Sequence, residues 1–449
     1  MSQALVDAAI AKQVASQKWW PIGILVVVIA YLTYAWGAFN MNEVLADSRW
    51  DKGGLLLSDA VAYKEHATED LRRGDFSVAI EGERTATYEP EDYPFWVVTD
   101  SNGYRVDLGD GYSMESANRI VRYNVPNYGS IEITVTADAL SMTLPSGQTT
   151  LPDGMQFRPV KFDARPEFGH RLQVSRSRIE SHRFFYGWEN FWFPFNSPFY
   201  GLSAGELWSL ATSSERLDVQ RPNVAYIFTE FWDNPDWQHG ILAVAVLETV
   251  MMAVLGTITA AVIALPLAFM AARNFNPEAV SRFFIRRVFD FVRGIDMLIW
   301  SLIFIRAFGL GPLTGSLAIA ITDSGSFGKI FSEAMENVDK KQIEGVEATG
   351  ASRIQKYRFG VMPQLMPVFL SQFLYYMESN MRSATVIGAL GAGGIGLVLV
   401  ETMRTQRDWE NVFYIITITI LMVFIMDGLS SRLRLKLIKG SERDTHSAG

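Results

Sequence analysis

At 449 residues, with 49% apolar and 20% charged side chains, the chain is too apolar for a purely soluble protein and too charged for a purely membrane one. The formal charge of -8 is no nucleic-acid signature, and the absence of Cys excludes thiolate metal sites, thiol redox motifs and a disulfide framework. The pattern predicts a composite, mostly α: a six-span membrane protein with a β-rich extracytoplasmic domain between spans one and two.

Residues 1–18 are polar and weakly amphipathic, and an apolar run from Trp19 to Phe39 follows, about one bilayer thickness at roughly 20 residues. It reads as a retained spanning helix. The run is long for a signal-peptide core, and Phe39, Asn40 and Met41 offer no small-x-small cleavage site. From 42 to 239 no run is long enough to span, and turn signals crowd in, among them Gly109-Asp110-Gly111, Asn127-Tyr128-Gly129 and Pro152-Asp153-Gly154. Ile131, Ile133 and Val135 alternate with Glu132, Thr134 and Thr136, the mark of a half-buried strand, so Phe76 to about Ser181 is predicted β-rich and antiparallel. Ser58–Arg73 is predicted as a helix. About 30 acids stand against about 18 bases between Asn42 and His239. The tail of this region, Arg183 to Gly201, is dense in Phe, Trp and Tyr, which suits either a membrane interface at the outer mouth or a domain core.

Five further spans are predicted at Ile241–Ala271, about Phe291–Phe308, Leu313–Phe331, Val368 to about Leu390, and Val412–Leu429. Arg273, Arg282, Arg286 and Arg287, then Lys340, Lys341, Arg353, Lys356 and Arg358, then Arg432, Arg434, Lys436 and Lys439 fall in alternate loops. Basic loops stay in the cytoplasm, so both termini are expected inside and the 42–239 domain outside. The segment from Lys340 to Pro367 carries charge between two apolar spans, yet Ile343, Val346, Ile354, Tyr357 and Val361 recur at helical spacing on one face. That predicts a short helical hairpin outside the bilayer, with Gly350 at its turn, Ser352 capping the second helix, and Pro363 and Pro367 ending or kinking it.

This segment resembles the cytoplasmic coupling loop of ABC importer permeases. Glu344, Gly345 and Val346 stand at the Glu-Ala-Ala positions, Gly350 at the Gly, and Gly360, Val361, Met362 and Pro363 at Ile-x-Leu-Pro, with the Gly350 to Pro363 spacing kept. With ESNMRSATVIGALGAGGIG from Glu378 to Gly396, the chain looks like the phosphonate branch, over roughly Arg221 to Arg434 and the first span. The resemblance implies a type I importer permease, itself no enzyme, in a bacterial inner membrane. It implies separate ABC ATPase subunits holding ATP and Mg²⁺, a periplasmic phosphonate-binding protein, and a second permease subunit, identical or paralogous. Its domains would be 1–41, 42–239, 240–431 with the coupling loop at 333–366, and a tail at 432–449. Glu344, Gly345, Val346, Gly350, Ile354, Tyr357 and Pro363 would meet the ATPase. Phosphite, phosphate esters or methionine remain alternative solutes, and a membrane-anchored sensor is the rival class.

Glu378, Ser379, Asn380, Arg382, Ser383 and Thr385 cluster near the middle of the fifth span, where polar groups face a bundle interior or a water-filled path. Glu378 precedes Arg382 by four residues, the order that favours an ion pair. Gly391-Ala392-Gly393-Gly394-Ile395-Gly396 fits a dinucleotide fingerprint in letters only: no strand precedes it, and it reads instead as a flexible helix-end turn at the outer surface followed by a loop. Gly325 to Ile330 lacks P-loop spacing, and the five His are scattered without metal-ligand spacing, so no cofactor or metal is expected on this chain.

Overall fold

The computed structural model describes residues 19–46, 48, 50–101, 103–405 and 408–446. Two compact units meet at Ser58 and Asp59. In the first, helix Trp19–Ala38 is apolar around its whole circumference and long enough from Trp20 to cross a bilayer. Pro21 falls in its first turn, where a missing N–H costs nothing. Short helices Met41–Ala46 and Trp50–Asp59 follow.

The second unit opens with twelve strands: β1 (Ala62–Asp70), β2 (Asp75–Ile80), β3 (Val97–Asp100), β4 (Gly103–Gly109), β5 (Tyr112–Ala117), β6 (Ile120–Val125), β7 (Gly129–Val135), β8 (Leu140–Thr143), β9 (Met155–Arg158), β10 (Lys161–Ala164), β11 (His170–Ser175) and β12 (Arg178–Tyr186). They form two six-stranded antiparallel sheets, ordered β2-β1-β12-β11-β10-β9 and β3-β4-β5-β6-β7-β8. The second is a meander whose β4–β5 and β5–β6 turns place Asp110-Gly111 and Asn118-Arg119 at positive φ, the pairwise left-handed geometry that matches strand twist in a two-residue hairpin. Val106, Met114, Val121, Ile131 and Ile133 of that sheet meet Ala67, Val78, Phe162, Leu172 and Ile179 of the other, all fully or almost fully buried. Each large apolar side chain so buried contributes about 1.5–3 kcal/mol.

The helix expected over Ser58–Arg73 is in fact mostly strand β1. Ala, Lys and Glu favour helix in isolation, but nine consecutive residues of β1 pair with β12 and six with β2, and that tertiary pairing overrides a weak local preference. Glu65 points into the sandwich, where its carboxylate accepts from Tyr88 Oη (2.6 Å) and Trp96 Nε1 (2.5 Å).

Helices fill the rest. Ala204–Thr212 carries a Ser203/Glu206 capping box, and Asn223–Trp232 leads into the 33-residue helix His239–Ala271. That helix lays Gly256, Ala260, Ala264 and Ala268, one small residue per turn, into its buried face. At Gly256 a Cβ would lie 2.7 Å from Ile319 on helix Pro312–Glu336, so the two backbones approach as closely as glycine allows. Among the described residues three helices are long and apolar enough to span: Trp20–Ala38, His239–Ala271 and Trp409–Lys436. A pair bent by 56°, Ile354–Ala392 with Gly394–Thr405, makes a fourth if counted as one span.

The segment expected as one span over Phe291–Phe308 is broken. Helix Ala279–Gly294 stops, Ile295 is extended, and Asp296 caps Met297–Phe308 by accepting from Leu298 N at 2.8 Å. An Asp side chain that can take a free helix-end N–H favours a new start over continuation. The Gly391–Gly396 stretch also differs from expectation: it is buried, and a helix, Gly394–Thr405, follows it. Gly391, Gly393 and Gly394 adopt φ of 112°, 89° and 70°, and Gly394 N and Ile395 N donate to Glu248 Oε2 and Thr249 Oγ1, each at 2.9 Å. It is a packed corner against the long helix rather than a free turn.

Candidate functional site

The charged segment after Pro312–Glu336 folds as two short helices. Asp339 caps Lys340–Ala348 through Lys341 N (2.9 Å), and its own N–H donates to Gln364 Oε1 (3.0 Å), which ties the loop to the next long helix. Thr349 and Gly350 end the helix, with Gly350 at φ 81°. Ser352 N then donates to Gln355 Oε1 (2.8 Å), starting Arg353–Lys356, and Lys356 Nζ reaches Glu347 Oε2 at 2.6 Å across the turn. A π turn, Tyr357–Val361, runs into Met362–Ile387 with Pro363 in its first turn.

The apolar residues of this loop do not share one face. Val361 is buried and Ile343 and Val346 are half-buried against Gly360, where a Cβ would come within 3.4 Å of Ile343 Cα. Ile354 is 79% exposed and Tyr357 45%, beside exposed Glu344 and Gly345. The π turn inserts one extra residue per turn and rotates Ile354 away from Val361, which helical spacing alone could not foresee. Ile354, Glu344 and Gly350 are thus exposed, and Tyr357 lines a recess of about 640 Å³ with Phe269, Met270, Phe275 and Ser281.

The polar cluster on Met362–Ile387 divides in two. Asn380, 1% exposed, donates from Nδ2 to Asp323 Oδ2 (2.6 Å) and Thr257 Oγ1 (2.8 Å), joining three helices. On another side, Glu378 Oε2 accepts from Arg434 Nη2 at 3.1 Å, while Arg382 stands 3.9 Å from Glu378 and 3.6 Å from Asp427. Ser383 and Thr385 bond back to Ser379 O and Met381 O within their own helix. Asp323, Thr257 and Asp427 were not singled out from the sequence, and Arg434 was read there only as a basic residue of the last loop. Asp323 carried a signal, an acid inside an apolar helix, whereas nothing local pointed to the other three.

Where the sandwich meets the helices, the aromatic run Arg183–Gly201 is partly buried and partly packed against the helix starts. Phe193 and Phe199 are buried, and Trp188 and Phe191 stack around His239 and Tyr414 at the starts of two long helices. Phe191 O can only accept, so His239 donates to it from Nε2 (2.8 Å) and takes the Tyr414 hydroxyl on Nδ1 (2.8 Å). Close by, Asp236 accepts from Arg84 N (2.8 Å) and Thr85 Oγ1 (3.1 Å). Burial, then the neighbouring carboxyls of Asp236, Glu410 and Asp408, push the Glu83 carboxyl up to about 10.

Residues 264–436 match the family described as binding-protein-dependent transport system inner membrane component. The chain is 42% identical over 118 residues to a cryptic phosphonate transport system permease protein, PhnE2, of Escherichia coli (strain K12), covering 26% of this chain and 96% of that one. This chain belongs to that family of inner-membrane transport components. It is also 40% identical over 187 residues to a phosphite transport system permease protein, HtxC, of Stutzerimonas stutzeri, covering 42% of this chain and 66% of HtxC. To the phosphate-import permease protein PhnE of Mycolicibacterium smegmatis it is 41% identical over 165 residues, 37% of this chain and 30% of that one. The chain thus spans just under two thirds of HtxC and under a third of the Mycolicibacterium smegmatis PhnE. A solved structure of the MetNI methionine ABC transporter, inward facing, aligns with 44% of this chain and 96% of its own at 16% identity and a TM-score of 0.39. The family match takes in the two-helix loop, Asn380 with Asp323, and the Glu378–Arg434 pair of this permease-family chain, and leaves Thr257 and the sandwich outside it.

Proposed function

We propose that this chain is the membrane subunit of a binding-protein-dependent ABC importer that carries a phosphonate or related phosphorus oxyanion inward, powered by separate ATPase subunits. What carries the reading is family membership together with relatives named for phosphonate, phosphite and phosphate transport. Six spans would form by adding the broken segment through Phe308 and helix Pro312–Glu336 to the apolar helices, with both termini cytoplasmic and the sandwich periplasmic. Glu344, Gly345, Val346, Gly350, Ile354, Tyr357 and Pro363 would then meet the ATPase, which holds ATP and Mg²⁺. A second permease subunit, alike or paralogous, completes the pathway, and a periplasmic binding protein delivers substrate.

The polar face of Met362–Ile387 lines that pathway or the seam with the second subunit, because charge held inside a membrane needs a partner or water. Arg382, 52% exposed at its side chain, is the cation of the cluster best placed to meet an incoming oxyanion. Reconstitution tests the whole reading. Proteoliposomes holding the permease, its ATPase and its binding protein should accumulate labelled methylphosphonate with ATP and not without the ATPase. The likeness to HtxC favours phosphite as the second solute, and accumulation of phosphite with no uptake of methylphosphonate would select it.

A further inference from the structure

Depth in the helical part can be read from its contacts. Met252 meets Gly315, Gly256 meets Ile319, and Arg273 N donates to Glu336 Oε1, each pair 63 residues apart, so helices His239–Ala271 and Pro312–Glu336 run side by side in the same direction. The broken segment returns along the second of them. Arg286 bonds Glu336 at one end, Phe308 leads into Pro312 at the other, and a Cβ on Gly325 would lie 2.8 Å from Phe289 O and 3.0 Å from Arg293 N. Gly325 is near the middle of its 25-residue helix, so the break at Ile295 falls near mid-depth, where a bilayer has no water to offer backbone groups.

What stands at the break is polar and open. Arg293 is 39% exposed at its side chain, and Gly294 and Asp296 are exposed as well. Asp290 is shared by Arg287 and Arg293, each at 3.1 Å, so that trio carries one positive charge in excess. The Asp296 carboxylate is held at the start of Met297–Phe308, where the helix dipole favours it. A helix end also leaves carbonyls without partners, and Trp300 Nε1 takes up one of them, Val292 O, at 3.3 Å. Irregular backbone and excess charge persist at this depth only inside protein or beside water, and the exposure of Arg293 to Asp296 excludes the first. The unbroken helix gives the contrast. Val262, 63 residues before Gly325 and so level with it, is 66% exposed, on one apolar stripe with exposed Leu255 and Ile258 that suits lipid.

We propose that the break between Ala279–Gly294 and Met297–Phe308 lines a water-filled passage at mid-depth, and that Arg293 is the cation it presents to an anion in transit. The inference rests on the transport reading above for placing these helices in a membrane. A half-exposed guanidinium beside water attracts by the sign of charge, so Arg293 steers anions as a class rather than recognising one of them.

The chain has no Cys, so a single thiol can report on the break. Gly294→Cys adds a side chain where nothing lies within 4 Å of the Cβ, and Val262→Cys places one at equal depth on the apolar stripe. The full chain in liposomes is treated on both faces with charged, membrane-impermeant methanethiosulfonates. Gly294→Cys should react at least about tenfold faster than Val262→Cys, since only a thiol in water ionises to the reactive thiolate. Relative to a small thiol in water, the anionic sulfonatoethyl reagent should gain on the cationic trimethylammonium one. Arg293→Gln in the Gly294→Cys chain should cut that gain roughly fivefold, because one charge acts on the two reagents with opposite sign, and Arg293→Lys should keep it. Gly294→Cys reacting no faster than Val262→Cys would overturn the proposal, whether lipid or a second subunit covers the break, and so would a reagent preference unchanged by Arg293→Gln. Uptake by the reconstituted importer with an unreactive Gly294→Cys would overturn this passage alone, whereas a reactive Gly294→Cys with no uptake of any phosphorus oxyanion would leave the passage standing and count against the transport reading.

Discussion

A side chain added at Gly350 and one added at Gly396 would fail for different reasons. At Gly350 a Cβ meets nothing within 4 Å, so the whole cost is the left-handed backbone at φ 81°, about 1–2 kcal/mol for a residue with a Cβ. Gly350→Val should therefore assemble but relax its turn, moving Ile354 relative to Glu344. The measurable result is ATP hydrolysis that continues while substrate transport drops several-fold; normal transport by that variant would refute the coupling role. At Gly396 the Cβ would sit 1.9 Å from Thr385 O and 2.8 Å from Ala389 N, both backbone atoms, one in the helix and one in the turn that follows it. Gly396→Ala should cost about 3 kcal/mol or more, the upper range for overpacking, and show as loss of folded protein in detergent rather than as loss of coupling. A melting temperature like that of Gly350→Ala would contradict this ranking.

Within helices, the sequence offers only neighbours three or four residues apart, and that limit decided what was legible. Glu378 and Arg382 stand in favourable order, yet the guanidinium that bonds Glu378 is Arg434, 56 residues away on the last helix, at 3.1 Å against 3.9 Å. Arg382 is instead half-exposed, drawn toward Asp427. Arg434→Ala should accordingly destabilise the protein more than Arg382→Ala, by about 1–3 kcal/mol, because it leaves the carboxylate of Glu378 without its donor while Ser430 keeps its bond to Leu374 O. Thermal melts of both single variants and of each combined with Glu378→Gln check it: Glu378→Gln should rescue Arg434→Ala and leave Arg382→Ala unchanged. The long apolar helices and the hairpin turns were readable because hydrophobic runs and Asp-Gly pairs act locally. The start of β1 and the Asp323–Asn380–Thr257 node were not, since each is settled by a partner distant in sequence, and the break at Asp296 is a local cap hidden inside an apolar run.

On the scale of the molecule, the sandwich is joined to the long apolar helices through carboxylates that crowd one another. Glu83 comes from the loop after β2, Asp236 from the approach to His239–Ala271, and Asp408 and Glu410 from the start of the last long helix. Only a proton lets so many acids share that space, and burial with these three neighbours holds it on Glu83, raising its carboxyl from 4.5 to about 10. The folded junction therefore binds a proton that the unfolded chain gives up above 4.5. Its contribution is fully present below that pH, and declines as pH rises through the window toward about 10. Arg84 N and Thr85 Oγ1 already satisfy Asp236, so they offer Glu83 no relief once it ionises. Glu83→Gln keeps the shape and the donor of the protonated acid with no proton to lose. Melting temperature followed from pH 5 to 9 should fall for the parent chain and run flatter for Glu83→Gln, with the variant the more stable at pH 8 and above. If the two curves stay parallel, Glu83 is ionised in the folded protein and the sandwich is held by its aromatic contacts to Trp188, Phe191 and Tyr414 without help from a shared proton.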